Sequence, residues 1–284
     1  MDKLKRTILI LGFICVNISV FSQYKYKTGH TELVRFNGAT KLAGWNVAPG
    51  VTWMGCRFRN TSDAIMTQGD TSYNVTFNPS GRFGLYLEAG RHKIFEYGKI
   101  FHYMDYGIAY KGLRGKEEFE GEYRVRGQEN PYATTSGNGK FGEHFILGHF
   151  NIYNVFQISD RNFIQNGIGA NLDYAVIQNK EKNGDLVFQN DQYLPRLIGQ
   201  LHYRLGFGIK MSDNFFIIPT IETPILNIRP WTNGHPSVNY FMSKYQPLIL
   251  SIRFAWLGKQ GLSCPPVYGP DGDSDKQSEF MKQQ

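Results

Sequence analysis

The chain lacks what helical membrane proteins and small secreted domains depend on. None of its 284 residues falls in a run of about 18 consecutive apolar positions, which excludes crossing a bilayer with helices. Cysteine is scarce. Of the three present, Cys15 lies in the N-terminal apolar run, leaving Cys56 and Cys264, too few for a disulfide framework. Signatures of chemistry are missing as well, with no Gly-x-Ser-x-Gly elbow and no His-Glu-x-x-His pair. His30, His92, His102, His144, His149, His202 and His235 are dispersed, without metal-ligand spacing. Asp271, Asp273 and Asp275 have the spacing of a calcium loop, but Lys276 and Lys282 stand where that loop needs glycine and glutamate. The formal net charge of +7 is scattered rather than clustered and does not point to nucleic acid. The sequence thus predicts no catalytic, cofactor-binding or metal-binding residue.

What is abundant points to strands. Aromatic residues make up 15% of the chain and glycine supplies 31 positions, a composition suited to sheets and turns. Residues 1–22 read as a cleavable secretory signal: Lys3, Lys5 and Arg6 precede an apolar run from Thr7 to Phe21, so the mature chain is expected to begin at Gln23.

Beyond the signal, segments with period-two alternation recur. In "FGLYLEAG", Phe83, Leu85, Leu87 and Ala89 oppose Gly84, Tyr86, Glu88 and Gly90. "YMDYGIAYK", "GHFNIYNVFQI", "GIGANLDYAV", "LIGQLHYRLGFGIK" and "LILSIRFAW" alternate in the same way. Two further strands are less regular: "VTWMGCRF" (51–58), with Met54, Cys56 and Phe58 as its apolar side, and "FFIIPTIETPIL" (215–226), which carries Pro219 and Pro224. The total is eight. Links after strands two, four and six are shorter (91–100, 159–162, 212–214), and those after one, three, five and seven are long (59–80, 113–144, 178–193, 227–244). This predicts an all-β fold: an eight-stranded antiparallel up-and-down transmembrane β-barrel with long extracellular loops and short periplasmic turns. The expected domains are an N-terminal periplasmic segment at 23–44, the barrel at 45–257, and a flexible periplasmic tail at 258–284.

The glycines decide which face is outside. Gly84, Gly90, Gly107, Gly167, Gly169, Gly206 and Gly208 all fall on the polar face. A water-exposed face gains nothing from a residue that weakens strands by about 0.5–1 kcal/mol. The interior of an eight-stranded barrel does gain, because there glycine makes room for large neighbours. The same face carries Glu88, Asp105, Asp173 and Glu222 against Lys111, Arg204, Lys210 and Arg253, a balance that a buried interior needs. With His149 and His202 these ten residues form the expected interior polar network. Trp53, Phe95, Tyr97, Phe101, Phe163, Tyr193, Phe215, Phe216, Tyr245 and Trp256 lie near strand ends, where aromatic girdles are expected.

A signal ending "VFSQ", strands such as "YMDYGIAYKG" and the closing strand "LILSIRFAW" resemble the small Gram-negative outer-membrane β-barrels of the OmpA/OmpX type. The resemblance covers 45–257 in architecture and brings no catalytic motif. It departs at the end, because residues 258–284 follow a strand that often closes such chains.

The resemblance implies a non-enzymatic outer-membrane protein with a plugged polar interior, serving envelope integrity or surface binding. Outer-membrane lipid is the expected partner, with a protein partner reached through loop 113–144 or the tail. Three other functions fit the same residues: a narrow porin-like channel, an accessory subunit of an envelope secretion or assembly machine, and a lipid- or peptide-modifying enzyme. The enzyme would use His202, His149 or His144, the last beside Glu143 near the outer rim.

Overall fold

Strict alternation between apolar and polar residues is stable only where the two sides of a strand meet different surroundings. In the structure, a computed structural model, the two surroundings are the outside and the inside of a closed ring. It describes residues 40–56, 62–68, 70–95, 100–128, 130–184, 195–231, 235–241 and 243–259. The expected signal, most of the N-terminal segment, the tail with Cys264 and the girdle residues Tyr97 and Tyr193 lie outside the described residues.

Ten strands follow in order: β1 (Thr40–Cys56), β2 (Ser62–Gln68), β3 (Thr71–Ile94), β4 (Tyr103–Val125), β5 (Ala133–Gln157), β6 (Asn162–Asn183), β7 (Leu197–Ser212), β8 (Phe215–Arg229), β9 (Val238–Tyr240) and β10 (Ser243–Lys259). Eight of them close the ring in the order β1-β3-β4-β5-β6-β7-β8-β10, each antiparallel to its neighbours. Closure comes from β1, which pairs with β3 from Ala43↔Lys93 to Trp53↔Phe83 and with β10 from Thr40↔Lys259 to Cys56↔Tyr245. This is the eight-stranded barrel expected from the sequence. β2 and β9, which the alternation did not mark, are not members of the ring: β2 pairs with the start of β3, and β9 with the start of β10.

The connections 95–102, 158–161 and 213–214 lie at the end where β1 begins and β10 finishes. At the other end the strands run on. Much of the expected long loops is strand: 71–80 belongs to β3, 113–125 to β4, 133–144 to β5 and 178–183 to β6. The alternation in "LRGKEEFEGEYRV" is complete, but its polarity is reversed, which hides it. Leu113, Phe119 and Gly121 are buried, whereas Arg114, Glu118 and Glu120 are exposed. Gly127 closes the β4–β5 hairpin at φ +88°, a conformation glycine adopts without strain.

β1 also departs from expectation. Met54 is buried inside the barrel while Trp53 is exposed, so the apolar outward side is Trp45, Val47, Val51 and Trp53. In β8 the two prolines are accommodated separately. Around Pro219 the ladder to β7 skips from Gly206↔Thr220 to Ile209↔Ile217, and Pro224 pairs with His202 beside a register shift.

The belt is continuous. Phe83, Leu85, Leu87, Ile108, Ile146, Phe150, Ile168 and Leu172 are all exposed on the outer face. Trp45 and Trp256 flank it at the turn end, Trp53 and Phe83 at the other. From Trp45 to Trp53 is nine residues, within the length expected of a strand that spans a bilayer. Three expected girdle residues face inward instead: Phe163, Phe216 and Tyr245 are buried, because their positions have interior parity.

Interior glycines make room for rings. A Cβ placed on Gly208 would sit 2.0 Å from the Phe163 ring. Gly208→Val is therefore expected to destabilise the barrel by about 1–3 kcal/mol through overpacking. The check is a lower urea midpoint for the detergent-folded variant, with the outward change Ile168→Val as the mild control.

Candidate functional site: the barrel interior

Inward parity on β3, β4, β5, β6, β7, β8 and β10 brings charged side chains together at mid-height. Arg253 on β10 sits between Glu88 and Asp105: its Nη2 donates to Glu88 Oε1 at 2.7 Å and its Nη1 to Asp105 Oδ2. Arg204 on β7 bridges Glu88 Oε2 at 2.9 Å and Glu222, to which its Nε also donates at 2.8 Å. Lys111 pairs with Asp173. Tyr86 donates to Glu88 at 2.7 Å, and Tyr153 and Asn151 donate to Asp105 at 2.8 and 2.6 Å. His202 Nε2 lies 2.5 Å from Asn151 Oδ1. Each of these residues is buried, so the ions are compensated by direct contacts rather than by water.

Of the ten residues expected in the interior, Glu88, Asp105, Lys111, Asp173, Arg204, Glu222 and Arg253 make these ion pairs and His202 joins them by a hydrogen bond. His149 is buried beside them, its Nε2 3.8 Å from Glu88 and 3.7 Å from Asp105, without a hydrogen bond of its own. Lys210 stands apart. It is only partly buried near the β7–β8 turn and pairs with exposed Asp213 at 2.9 Å. Four carboxylates thus face three permanent cations, with His149 occupying the place by Glu88 and Asp105 where a fourth would stand. Sequence reasoning missed Tyr86, Asn151 and Tyr153, although all three have the parity of the charges beside them.

Two apolar layers close this chamber. Toward the extended end, Met54, Leu113, Phe141, Phe145, Val238, Tyr240 and Tyr245 form one cluster. Part of it comes from β9, whose hairpin with β10 folds into the mouth. Phe141 and Tyr240 stack at 3.6 Å, and Tyr240 donates to Glu143 at 2.7 Å. Phe241 takes the left-handed φ of 51° and lays its ring over Gly139, where a Cβ would meet it at 2.5 Å. Toward the turn end, Phe163, Phe216, Ile218, Ala255 and Leu257 form the second layer.

Beyond the belt, β2, β3, β4, β5 and the end of β6 continue as one sheet. Tyr73, Val75, Phe77 and Phe119 form its buried side. Tyr73 shares a hydrogen bond with Thr135 at 3.0 Å, and burial raises its phenol above the ordinary range, so it remains protonated. At the tip, Thr71, Tyr123, Val125, Tyr132 and Ala133 line a hollow of about 370 Å³.

A closed antiparallel ring with an apolar belt outside and paired charges within defines a small outer-membrane β-barrel. No protein-family model and no curated protein matches the chain. Among solved structures it is similar to Ail, the attachment invasion locus protein of Yersinia pestis, at 13% identity and a TM-score of 0.27, covering 75% of this chain and 99% of that one. It is similar to the outer membrane protein OprG from Pseudomonas aeruginosa at 10% identity and a TM-score of 0.28, covering 78% and 97%. The translocator domain of the autotransporter NalP from Neisseria meningitidis matches at 10% identity and a TM-score of 0.25, covering 90% and 97%.

The energetic weight of the interior is measurable. Lys111→Met leaves Asp173 buried without its cation and is expected to cost about 3–5 kcal/mol. The double change Lys111→Met with Asp173→Leu removes both charges and is expected to recover most of that loss. Urea midpoints of the four proteins in a double-mutant cycle give the coupling; additive effects would contradict a direct pair.

Proposed function

We propose that the chain is a non-enzymatic, non-conducting outer-membrane barrel that carries a rigid sheet beyond the membrane for surface binding. The observation that carries this reading is the contrast between its two halves. The lumen is filled by a paired network between two apolar layers, while β3 to β6 extend past the belt by roughly 20–35 Å of strand. The residues that an enzyme would use argue against one. His202 is 1% exposed and His149 5%, and a general base must reach the proton it removes. His144 faces outward and shares a hydrogen bond with Tyr110 at the upper edge of the belt. A channel is disfavoured by the same packing, since a conducting path would have to part both apolar layers and the network.

The extended end is read as facing the outside of the cell. Its surface suits contact with a partner: the outward side of β4 bears Glu118, Glu120, Glu122 and Arg124, and Tyr132 stands 79% exposed beside the tip hollow. Surface loops and edges on a rigid scaffold are where binding concentrates.

The test has two parts. Purified protein in planar bilayers is expected to hold baseline conductance, and steady single-channel steps would refute the sealed lumen. A short epitope inserted between Gly127 and Gln128 is expected to bind antibody on intact cells. Labelling only after permeabilisation would refute outward presentation.

A further inference from the structure

The outer face changes character where β3, β4 and β5 leave the belt. Arg82 is the cross-strand partner of Arg114, and Lys116 is the partner of Lys140. All four point outward, in two adjacent rows of the sheet. Like charges placed directly opposite on one face destabilise a sheet, so two such pairs side by side need an external reason. Among the described residues, Lys116 alone of the four has an acidic partner within 4 Å, Glu118 at 2.9 Å. Glu181 lies across from Lys140 on β6 without forming an ion pair. Gly142 completes the Arg114 row, and a Cβ placed there would meet nothing within 4 Å. The cations therefore border an open notch at Gly142 from the β3–β4 side: Arg114 lies opposite it with Arg82 beyond, Lys140 is next on its own strand with Lys116 diagonal, and Asn179 lies on the β6 side.

The height of this notch is set by its neighbours. Directly below lie Gly112 and His144, paired across β4 and β5, and then Tyr110 with Ile146. The hydrogen bond between Tyr110 and His144 is the kind of polar collar that sits at a membrane interface. The notch is thus level with lipid headgroups on the extended side. Further down the same strands the belt has a shallow, open depression over Gly148 and Ala170, edged by Tyr106, Ile108, Phe150 and Leu172. A Cβ on Gly148 would also meet nothing within 4 Å. From Gly142 to Gly148 is roughly 20 Å of strand, which places the depression inside the hydrocarbon layer, well below the notch.

We propose that this face binds a phosphate-bearing glycolipid of the outer leaflet, its phosphates held by Arg82, Arg114, Lys116 and Lys140 and an acyl chain reaching the depression at Gly148. Arginine supplies paired donors to phosphate oxygens and lysine adds point charge. The missing side chains at Gly142 and Gly148 give headgroup and chain their space. The assignment rests on the outer-membrane reading of the chain and adds a particular lipid site to it.

The test uses the full chain folded in detergent, with hexa-acylated lipid A as the probe and adducts counted by native mass spectrometry. The wild-type protein is expected to retain bisphosphorylated lipid A at least about tenfold better than its dephosphorylated form, a difference near 1.4 kcal/mol. Arg114→Gln with Lys140→Gln is expected to abolish that preference. Gly148→Leu is expected to weaken retention of both forms, and Arg124→Gln at the tip to change nothing. Heat-modifiable gel mobility verifies that each variant is folded. Equal retention of the two lipids, or full preference in a folded double variant, overturns the site. Loss of the adduct in millimolar inorganic phosphate overturns it in favour of a free-anion site. Failure of the wild-type chain to insert into phosphatidylcholine vesicles would instead strike at the membrane reading itself.

Discussion

Hydrocarbon offers no hydrogen-bond partner, so every backbone amide and carbonyl at membrane depth must be satisfied within the protein. In this chain the requirement is met by the double pairing of β1, which joins β10 on one side and β3 on the other. The rest follows from that closure. A ring of eight strands has a lumen only wide enough for side chains, and each strand must send alternate residues into it. Once lipid claims one parity, the charges between the Trp45 and Trp53 rows belong to the other, and Arg91 on the outward parity sits at the edge, over the Trp45 ring. A slip of one residue anywhere would exchange the two sets.

Such a lumen can be stable only if its ions satisfy one another, because removing a charge from water without partners costs far more than one ion pair returns. The structure answers with shared contacts rather than isolated pairs. Arg253 serves Glu88 and Asp105, Arg204 serves Glu88 and Glu222, Tyr86 and Tyr153 donate to oxygens these arginines already hold, and Asn151 takes the other oxygen of Asp105. Strands β3, β4, β7, β8 and β10 are thereby tied across the lumen as well as around it. The aromatic layers above and below exclude water from these contacts, which strengthens them. His149 and His202 are enclosed with these groups.

How far this could be read from the sequence depended on what each strand faces. On β3, β6, β7 and β10 lipid lies on one side and the lumen on the other, so parity alone places Glu88, Asp173, Arg204 and Arg253. On β1 the inward set includes Ala48 and Met54, and apolar residues on both faces blur the alternation. Phe163, Phe216 and Tyr245 misled in a similar way: aromatic residues suit a girdle, but their parity sends them into the lumen. Lys210 has the right parity and the wrong height, too near the turn to reach the carboxylates. β9 is only three residues long, below what any periodicity can register, yet it supplies Tyr240 to the upper layer.

The outward sheet was hidden by the physics that builds it. Above the belt the exterior is water, so the convex side of β4 becomes Arg114, Lys116, Glu118, Glu120 and Glu122 while Phe119 turns inward. Read with lipid in mind, that stretch resembles a charged loop; read with water outside, it is a strand. The sheet remains ordered without the ring because β2 takes over the edge of β3 where β1 has ended, pairing from Ser62↔Thr76 to Gln68↔Thr71. An exposed edge on a long strand would invite pairing with other chains, and the short β2 narrows that exposure. The point where polarity reverses is therefore a ruler for the membrane surface, and the opposed cations of Arg82, Arg114, Lys116 and Lys140 fall on it. An anion outside at that height would relieve their repulsion within the sheet.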